Sequence, residues 1–333
     1  MLELRNVTMT VHSDRKTTLI ISDISLTIDT GESVGLVGES GSGKSMTLRT
    51  ILRSEPANAT VSGEILLDGH DIRTMDATEL RGVRAHRVAM ISQNPQAVLN
   101  PVEPVVRYLI EGMHDARGVP VREAKARARE LLEQVGIENV DRVLKAYPHE
   151  LSGGMLQRVV IAGAVAGKPQ LLLADEPTTA LDVTTQAEVV SLLDEYRRER
   201  GMSMIFVTHD LDLAAAVSDR IAVMAAGEIV EIGTPQQLRE TPLHPYTKLL
   251  MKSRPQVERS VATLPVIPGQ PVAAGEVLRG CRFAPRCPWV QERCRVNDIP
   301  LVTKTVPRAN SEPGGERAVR CIRADELAKE DVV

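Results

Sequence analysis

Eight residues, Gly38-Glu39-Ser40-Gly41-Ser42-Gly43-Lys44-Ser45, constrain this chain more than any other stretch. They follow a short buried-type strand, Ser33 to Val37, and lead straight into a helical run, Ser45 to Leu52. Three glycines at this spacing let consecutive backbone N–H groups point inward at an anion, with no side chain blocking the approach. The helix that starts at the loop adds the positive end of its dipole to the same place. Strand, Gly-rich loop and helix in that order are the context in which GxxxxGKS cradles nucleotide phosphates, a context that a chance Gly/Ser turn does not supply. Lys44 then reaches the β- and γ-phosphates and the Ser45 hydroxyl ligates Mg²⁺. The predicted ATP-binding set runs from Gly38 through Lys44 and Ser45 to Met46.

A second constellation is Leu171-Leu172-Leu173-Ala174-Asp175-Glu176-Pro177. An apolar strand here delivers two acids to its carboxyl end, where open α/β sheets place their ligands. Asp175 is the candidate for the Mg²⁺ shell and Glu176 the candidate general base for an attacking water. Two adjacent carboxylates can also open a solvated turn, but in company with a phosphate loop they point to a nucleotide hydrolase.

Strand-like runs Leu2 to Val11 and Thr18 to Ile28 are joined by a polar turn at 12–16, and Gly63 to Asp68 and Arg87 to Ser92 read as further strands. Residues from about 96 to 165, including Arg122 to Gly136, are rich in helix formers and predict an inserted helical subdomain. Strands resume at Gln170 to Ala174, Ser203 to Val207 and Arg220 to Met224, with a helix from Thr184 to Glu199. Strands alternating with helices predict a mainly parallel sheet covered on both faces. After Met251 the pattern gives way to Pro- and Gly-containing segments, which puts a boundary near 253.

A net charge of -4 and a pI near 6.0 leave no basic footprint, which argues against nucleic acid as a partner. The amino terminus alternates like a strand rather than a signal peptide, and no apolar run approaches membrane-spanning length. A cytosolic chain whose membrane role goes through a partner is expected. The cysteines at 281, 287, 294 and 321 are the only four in the sequence. In a reducing compartment such clustering suggests a metal or cluster site ahead of disulfides. Four thiolates suit a tetrahedral zinc or a [4Fe–4S] cluster, and gaps of five and six residues are looser than the tight pairs of structural zinc.

Leu151-Ser152-Gly153-Gly154-Met155-Leu156-Gln157-Arg158 resembles the signature motif of ATP-binding cassette proteins. By that resemblance Leu151, Ser152, Gly153, Gly154 and Met155 serve the nucleotide of the opposite protomer, so two subunits close head to tail around two ATP molecules. Ser152 and the glycines begin a helix whose N–H groups suit a γ-phosphate. The resemblance extends to Gln93, which senses Mg²⁺ and connects to the transport partner. It also covers Ala180-Leu181-Asp182, where Asp182 communicates across the dimer, and the switch histidine His209. An aromatic that stacks on adenine is absent from residues 1 to 31, leaving Val11 or His12 for that contact. Thr178-Thr179-Ala180-Leu181-Asp182-Val183-Thr184, Gly233-Thr234-Pro235 and His244-Pro245-Tyr246-Thr247-Lys248-Leu249-Leu250 resemble the dipeptide and oligopeptide import branch, in which Met also occurs at the position of Met155.

The implied fold is α/β: a P-loop NTPase cassette over 1–252 with a mainly parallel sheet, an N-terminal antiparallel β subdomain and a helical subdomain at about 96–165. A loop-rich, cysteine-containing extension over 253–333 follows. The implied cofactors are ATP, Mg²⁺ and a [4Fe–4S] cluster on Cys281, Cys287, Cys294 and Cys321, with Zn²⁺ as the alternative. The implied partners are a homologous ATPase subunit, a heterodimer being favoured over a homodimer, two membrane permease subunits contacted near 94–113, and an extracytoplasmic substrate-binding protein. No nucleic acid is expected. The chain would then sit peripherally on the cytoplasmic face of the membrane. An importer ATPase of the same branch for nickel or another small solute is the nearest alternative. A soluble cassette ATPase on ribosomes or DNA is the alternative of another class, and it usually has two cassettes in one chain or a long coiled-coil insertion.

Overall fold

The computed structural model describes residues 1–13, 16–179, 181–253, 266–277, 279–305 and 316–328. Through the first half the chain forms β1 (Leu2–Ser13), β2 (Lys16–Ile28), β3 (Ser33–Val37), α1 (Lys44–Ile51), β4 (Ala59–Leu67), β5 (His70–Asp71), α2 (Ala77–His86), β6 (Val88–Ile91), α3 (Val105–Arg117), α4 (Val121–Gln134), α5 (Val140–Lys145) and α6 (Gly153–Ala166). It continues through β7 (Leu171–Asp175), α7 (Val183–Arg200), β8 (Ser203–Thr208), α8 (Leu211–Val217), β9 (Arg220–Ala225), β10 (Glu228–Gly233), α9 (Pro235–Glu240) and α10 (Pro245–Lys252). Last come α11 (Arg293–Val296), β11 (Val302–Thr305), β12 (Glu316–Val319) and α12 (Ala324–Leu327). Residues 14 and 15 of the predicted first turn, and Ala180 of the predicted dimer-communication loop, lie outside the described residues.

Contacts divide the chain into two compact units. One comprises Met1, Ile28–Ser33 and Asp71–Thr208. Its strands β6, β7 and β8 pair in parallel, Val88 opposite Leu171 and Leu171 opposite Ser203. Every residue of β7 and β8 is buried, as expected of parallel strands covered on both faces. The predicted helical subdomain is α3 to α6. In α4 the buried residues are Ala124, Ala128, Leu131 and Leu132, a repeat that keeps one face inward. Asp76 caps α2 through the N–H groups of Thr78 and Glu79, while Glu79 returns a bond to the Asp76 N–H. This reciprocal box fixes where the helix starts.

The other unit comprises Leu2–Thr27, Val34–His70 and His209–Val333. One sheet runs β2-β1-β4-β5, with β1 antiparallel to β4. The strand predicted at 63–68 therefore belongs to the N-terminal antiparallel layer. A second set runs β11-β12-β10-β9-β3, parallel between β3 and β9 and antiparallel from β9 outward. The antiparallel part begins where Ala226 and Gly227 both take positive φ, 47° and 82°, the two-residue turn that suits a tight hairpin. Val37 at the end of β3 shares a core with Val223, Val230, Tyr246, Ile267 and Phe283, so residues beyond 266 pack on the strand that feeds the glycine-rich loop.

Among the described residues no helix is long and apolar enough to cross a membrane. Buried arginine also holds the late segment in place. Arg320 donates to the carbonyls of Ile229, Ile299 and Asp23 at 3.1, 2.9 and 3.1 Å, and pairs with the Asp23 carboxylate at 3.0 Å. Arg320→Ala strands these acceptors without a donor, and urea unfolding should report a loss of about 2 kcal/mol; an unchanged midpoint would show that Arg320 contributes nothing to stability.

Candidate active site

The glycine-rich loop leaves β3 where the backbone is too crowded for a side chain. A Cβ at Gly38 would lie 2.2 Å from the Met224 carbonyl oxygen. At Gly43, φ is 103° and a Cβ would meet the Ile21 side chain at 2.8 Å. Gly43 caps α1, so the loop turns directly into a helix amino terminus, the geometry that offers N–H groups to an anion. Lys44 is buried, and its ammonium donates to the carbonyls of Gly38 and Glu39 at 2.8 and 3.0 Å. Ser45 and Met46 follow in the first turn, both half-buried.

In the other unit, β7 ends at buried Asp175, and Glu176 follows with φ 46°. That left-handed conformation costs a non-glycine residue of order 1 kcal/mol and persists only when its surroundings enforce it. They do so here: the Glu176 N–H donates to Val207 at 3.0 Å. Its carboxylate oxygen Oε2 accepts from Gln93 Nε2 at 3.1 Å and from the Thr179 hydroxyl at 3.0 Å. Gln93 and Glu176, predicted separately from the sequence, are thus in direct contact. Gln157 donates to the Pro177 carbonyl at 2.7 Å and Gln186 to that of Thr178 at 3.0 Å, fixing the segment after Glu176. Neither supporting role was predicted; an amide inside an apolar helix is the signal that marks Gln157, which is 1% exposed.

Leu151 is buried, whereas Ser152 and Gly153 are exposed and Gly154 and Met155 half-buried. Ser152 caps α6, accepting the Met155 N–H at 3.3 Å, and no acid occupies the first turn. An accessible, positively polarised helix start results. Asp182 caps α7 through the Thr185 N–H at 3.0 Å, and this bond holds its carboxyl below the usual carboxylate range. His209 is exposed just after β8. Val11 is half-buried, and His12 has its ring nitrogens against the hydroxyls of Thr17 and Thr60 at 3.0 and 2.9 Å.

Cys281, Cys287, Cys294 and Cys321 carry free thiols and line one pocket, together with His244, Phe283 and Trp289. Burial pushes the Cys281 thiol up to about 12 and Cys321 up to about 11, and also raises Cys287. Among the described residues no three His, Cys, Asp or Glu side chains converge on a single ion position. His244 accepts the Tyr246 N–H at Nδ1, 3.1 Å away, so its proton belongs on Nε2. Nε2 is buried and has no hydrogen-bond partner.

A family described as "ABC transporter" matches residues 21–179, and one described as "Oligopeptide/dipeptide transporter, C-terminal region" matches residues 230–294. A Brucella abortus protein that carries the provisional name of a peptide import ATP-binding protein is 41% identical over 97% of each chain. The oligopeptide transport ATP-binding protein OppD of Haemophilus influenzae is 37% identical over 89% of this chain and 92% of its own. Among solved structures, the dimeric post-hydrolysis state of the ATP-binding cassette MJ0796 bound to ADP and Pi superposes with a TM-score of 0.65. It is 31% identical and covers 71% of this chain and 99% of that one.

The crowding at Gly38 makes a direct prediction. Gly38→Ala forces the loop off the Met224 carbonyl, and the overpacking should cost about 1–3 kcal/mol in thermal unfolding and weaken nucleotide binding; unchanged melting and binding would contradict the loop geometry.

Proposed function

The chain belongs to the ATP-binding cassette family and is an ATPase, and we propose that it is the motor subunit of a membrane importer of dipeptides or oligopeptides. The carrying observation for hydrolysis is Glu176, held by Gln93 and Thr179 at the end of a buried strand. Support for the cargo comes from the match of residues 230–294 to an oligopeptide and dipeptide transporter region, and from relatives named for peptide import and oligopeptide transport.

In this reading the loop from Gly38 to Met46 wraps the phosphates of ATP, with Lys44 neutralising the β- and γ-phosphates. By the family resemblance Ser45, Gln93 and Asp175 would hold Mg²⁺, and each offers the kind of oxygen donor that ion takes. When bound, that ion screens charge on the phosphates. Both Gln93 and Thr179 donate to the same oxygen of Glu176, which orients the carboxylate to take a proton from water. His209 serves as the γ-phosphate switch. The exposed start of α6, with Leu151, Ser152, Gly153, Gly154 and Met155, faces ATP held by a homologous subunit, and Asp182 relays between the two. A heterodimer is favoured over a homodimer. Residues 94–113 engage permease subunits at the cytoplasmic face of the membrane, and an extracytoplasmic binding protein delivers the peptide. Residues 1–252 form the cassette and 253–333 its extension.

For the cysteine pocket the reading put forward is a [4Fe–4S] cluster on Cys281, Cys287, Cys294 and Cys321. What supports it is a lining of four soft thiol donors, with His244, whose buried Nε2–H has no partner and suits a sulfide acceptor, on the same pocket. Bound there, it would link the segment around 281–294 to Cys321 as a structural clamp.

Glu176→Gln keeps the shape of the site but removes the base. It should bind ATP normally and lose turnover by at least about 10²-fold in steady-state phosphate release; wild-type turnover would remove Glu176 from the mechanism. Protein purified without oxygen should contain iron and acid-labile sulfide in equal amounts, lost together in Cys287→Ser. Iron-free, sulfide-free protein would remove the cluster.

A further inference from the structure

Glu39 is an odd residue to find in an anion nest, because its carboxylate opposes the phosphates the loop is built to hold. Its surroundings resolve the conflict. Arg286 meets it with both terminal nitrogens, Nη1 to Oε2 at 2.6 Å and Nη2 to Oε1 at 3.0 Å, while Arg286 Nε donates to the Pro268 carbonyl at 2.7 Å. The Arg286 side chain is 6% exposed and that of Glu39 27%. This parallel, partly desolvated fork is a far stronger contact than a surface ion pair. On the backbone side, the Glu39 N–H donates to the Tyr246 hydroxyl at 2.9 Å. Tyr246 is fully buried and sets its ring edge-on to Phe283, centroids 5.3 Å apart, inside the core that contains Val37.

We propose that Arg286 and Tyr246 are positioning residues of the phosphate loop: the carboxyl-terminal segment clamps Glu39 from both sides and cancels its charge, so that the loop is pre-formed for ATP. The clamp reaches Lys44 as well, since the carbonyl of Glu39 accepts from the Lys44 ammonium. The Glu39 N–H that Tyr246 holds shares its peptide with the Gly38 carbonyl, so both carbonyls that orient the lysine adjoin the clamp. Arg286 lies in the single turn Ala284–Arg286, between Cys281 and Cys287, so the thiol-bearing segment and the nucleotide loop are mechanically joined. The proposal rests on residues 38–45 being the ATP loop, and Lys44→Ala tests that separately.

The experiment measures Mg-ATP affinity and saturated turnover on the full chain, with urea unfolding to certify folding. Arg286→Ala loosens the loop and leaves an unneutralised carboxylate beside the phosphates, so Kd should rise roughly 10-fold, the scale of one charged hydrogen bond, while turnover at saturating ATP changes little. Adding Glu39→Gln to Arg286→Ala removes the stranded charge and should recover most of the lost affinity, a rescue that a merely structural role would not produce. Tyr246→Phe keeps the ring but drops the acceptor for the Glu39 N–H, and should weaken ATP several-fold, about 5-fold on the same scale. It keeps the proposal testable should Arg286→Ala fail to fold. Wild-type Kd in a folded Arg286→Ala and in Tyr246→Phe, or a double variant as weak as the single, would overturn the clamp. Wild-type binding in Lys44→Ala would instead overturn the reading of the loop itself.

Discussion

The close passage of Gly38 past the Met224 carbonyl is the contact from which the nucleotide loop takes its shape. β3 is buried along its whole length, so the chain leaves it in one direction only, and the backbone must bend within a space that excludes even a methyl group. Gly43 repeats the constraint at the far end, where a left-handed glycine starts α1. Between them the loop has little freedom, and its carbonyls at 38 and 39 fall to the Lys44 ammonium. Preorganised donors of this kind bind anions without first paying to reorder.

The carboxyl-terminal segment completes that arrangement by charge as much as by packing. Three of its buried arginines adjoin cysteines in sequence: Arg282 follows Cys281, Arg286 precedes Cys287 and Arg320 precedes Cys321. Each reaches back to an acid in an earlier segment, Glu228, Glu39 and Asp23 respectively. Burial raises the pKa of Glu228, with Arg282 opposing the shift, so the pair is a desolvated one whose value depends on both partners being present. The thiol pocket is thus bordered by residues whose charges anchor it to the rest of its unit.

Much of this was legible in the sequence because it is local. The loop, the acid pair and the signature serine at the start of a helix are short motifs whose physics lies within a few residues, whereas the capping of α7 by Asp182 emerged only from the structure. The α/β fold followed from buried strands alternating with helices, and the helical subdomain from the helix formers of segments such as Arg122 to Gly136. What stayed hidden depends on partners far along the chain. Glu39 and Arg286 are 247 residues apart, and nothing near either announces the other. The strands β11 and β12 read as irregular because β12 pairs with β10 and β11 with β12, edges that only the folded sheet supplies. The antiparallel turn at Ala226-Gly227 was missed because alanine rarely takes positive φ.

In the proposed reading, ATP on this loop joins two cassettes through the exposed start of α6. Sedimentation of Glu176→Gln protein, alone and mixed with a homologous ATPase subunit, with and without Mg-ATP, tests it most directly, because that variant should hold ATP without consuming it. The account predicts separate subunits without nucleotide and a dimer with Mg-ATP that Ser152→Arg abolishes. Separate subunits at saturating Mg-ATP, or a dimer indifferent to both nucleotide and Ser152, would contradict it.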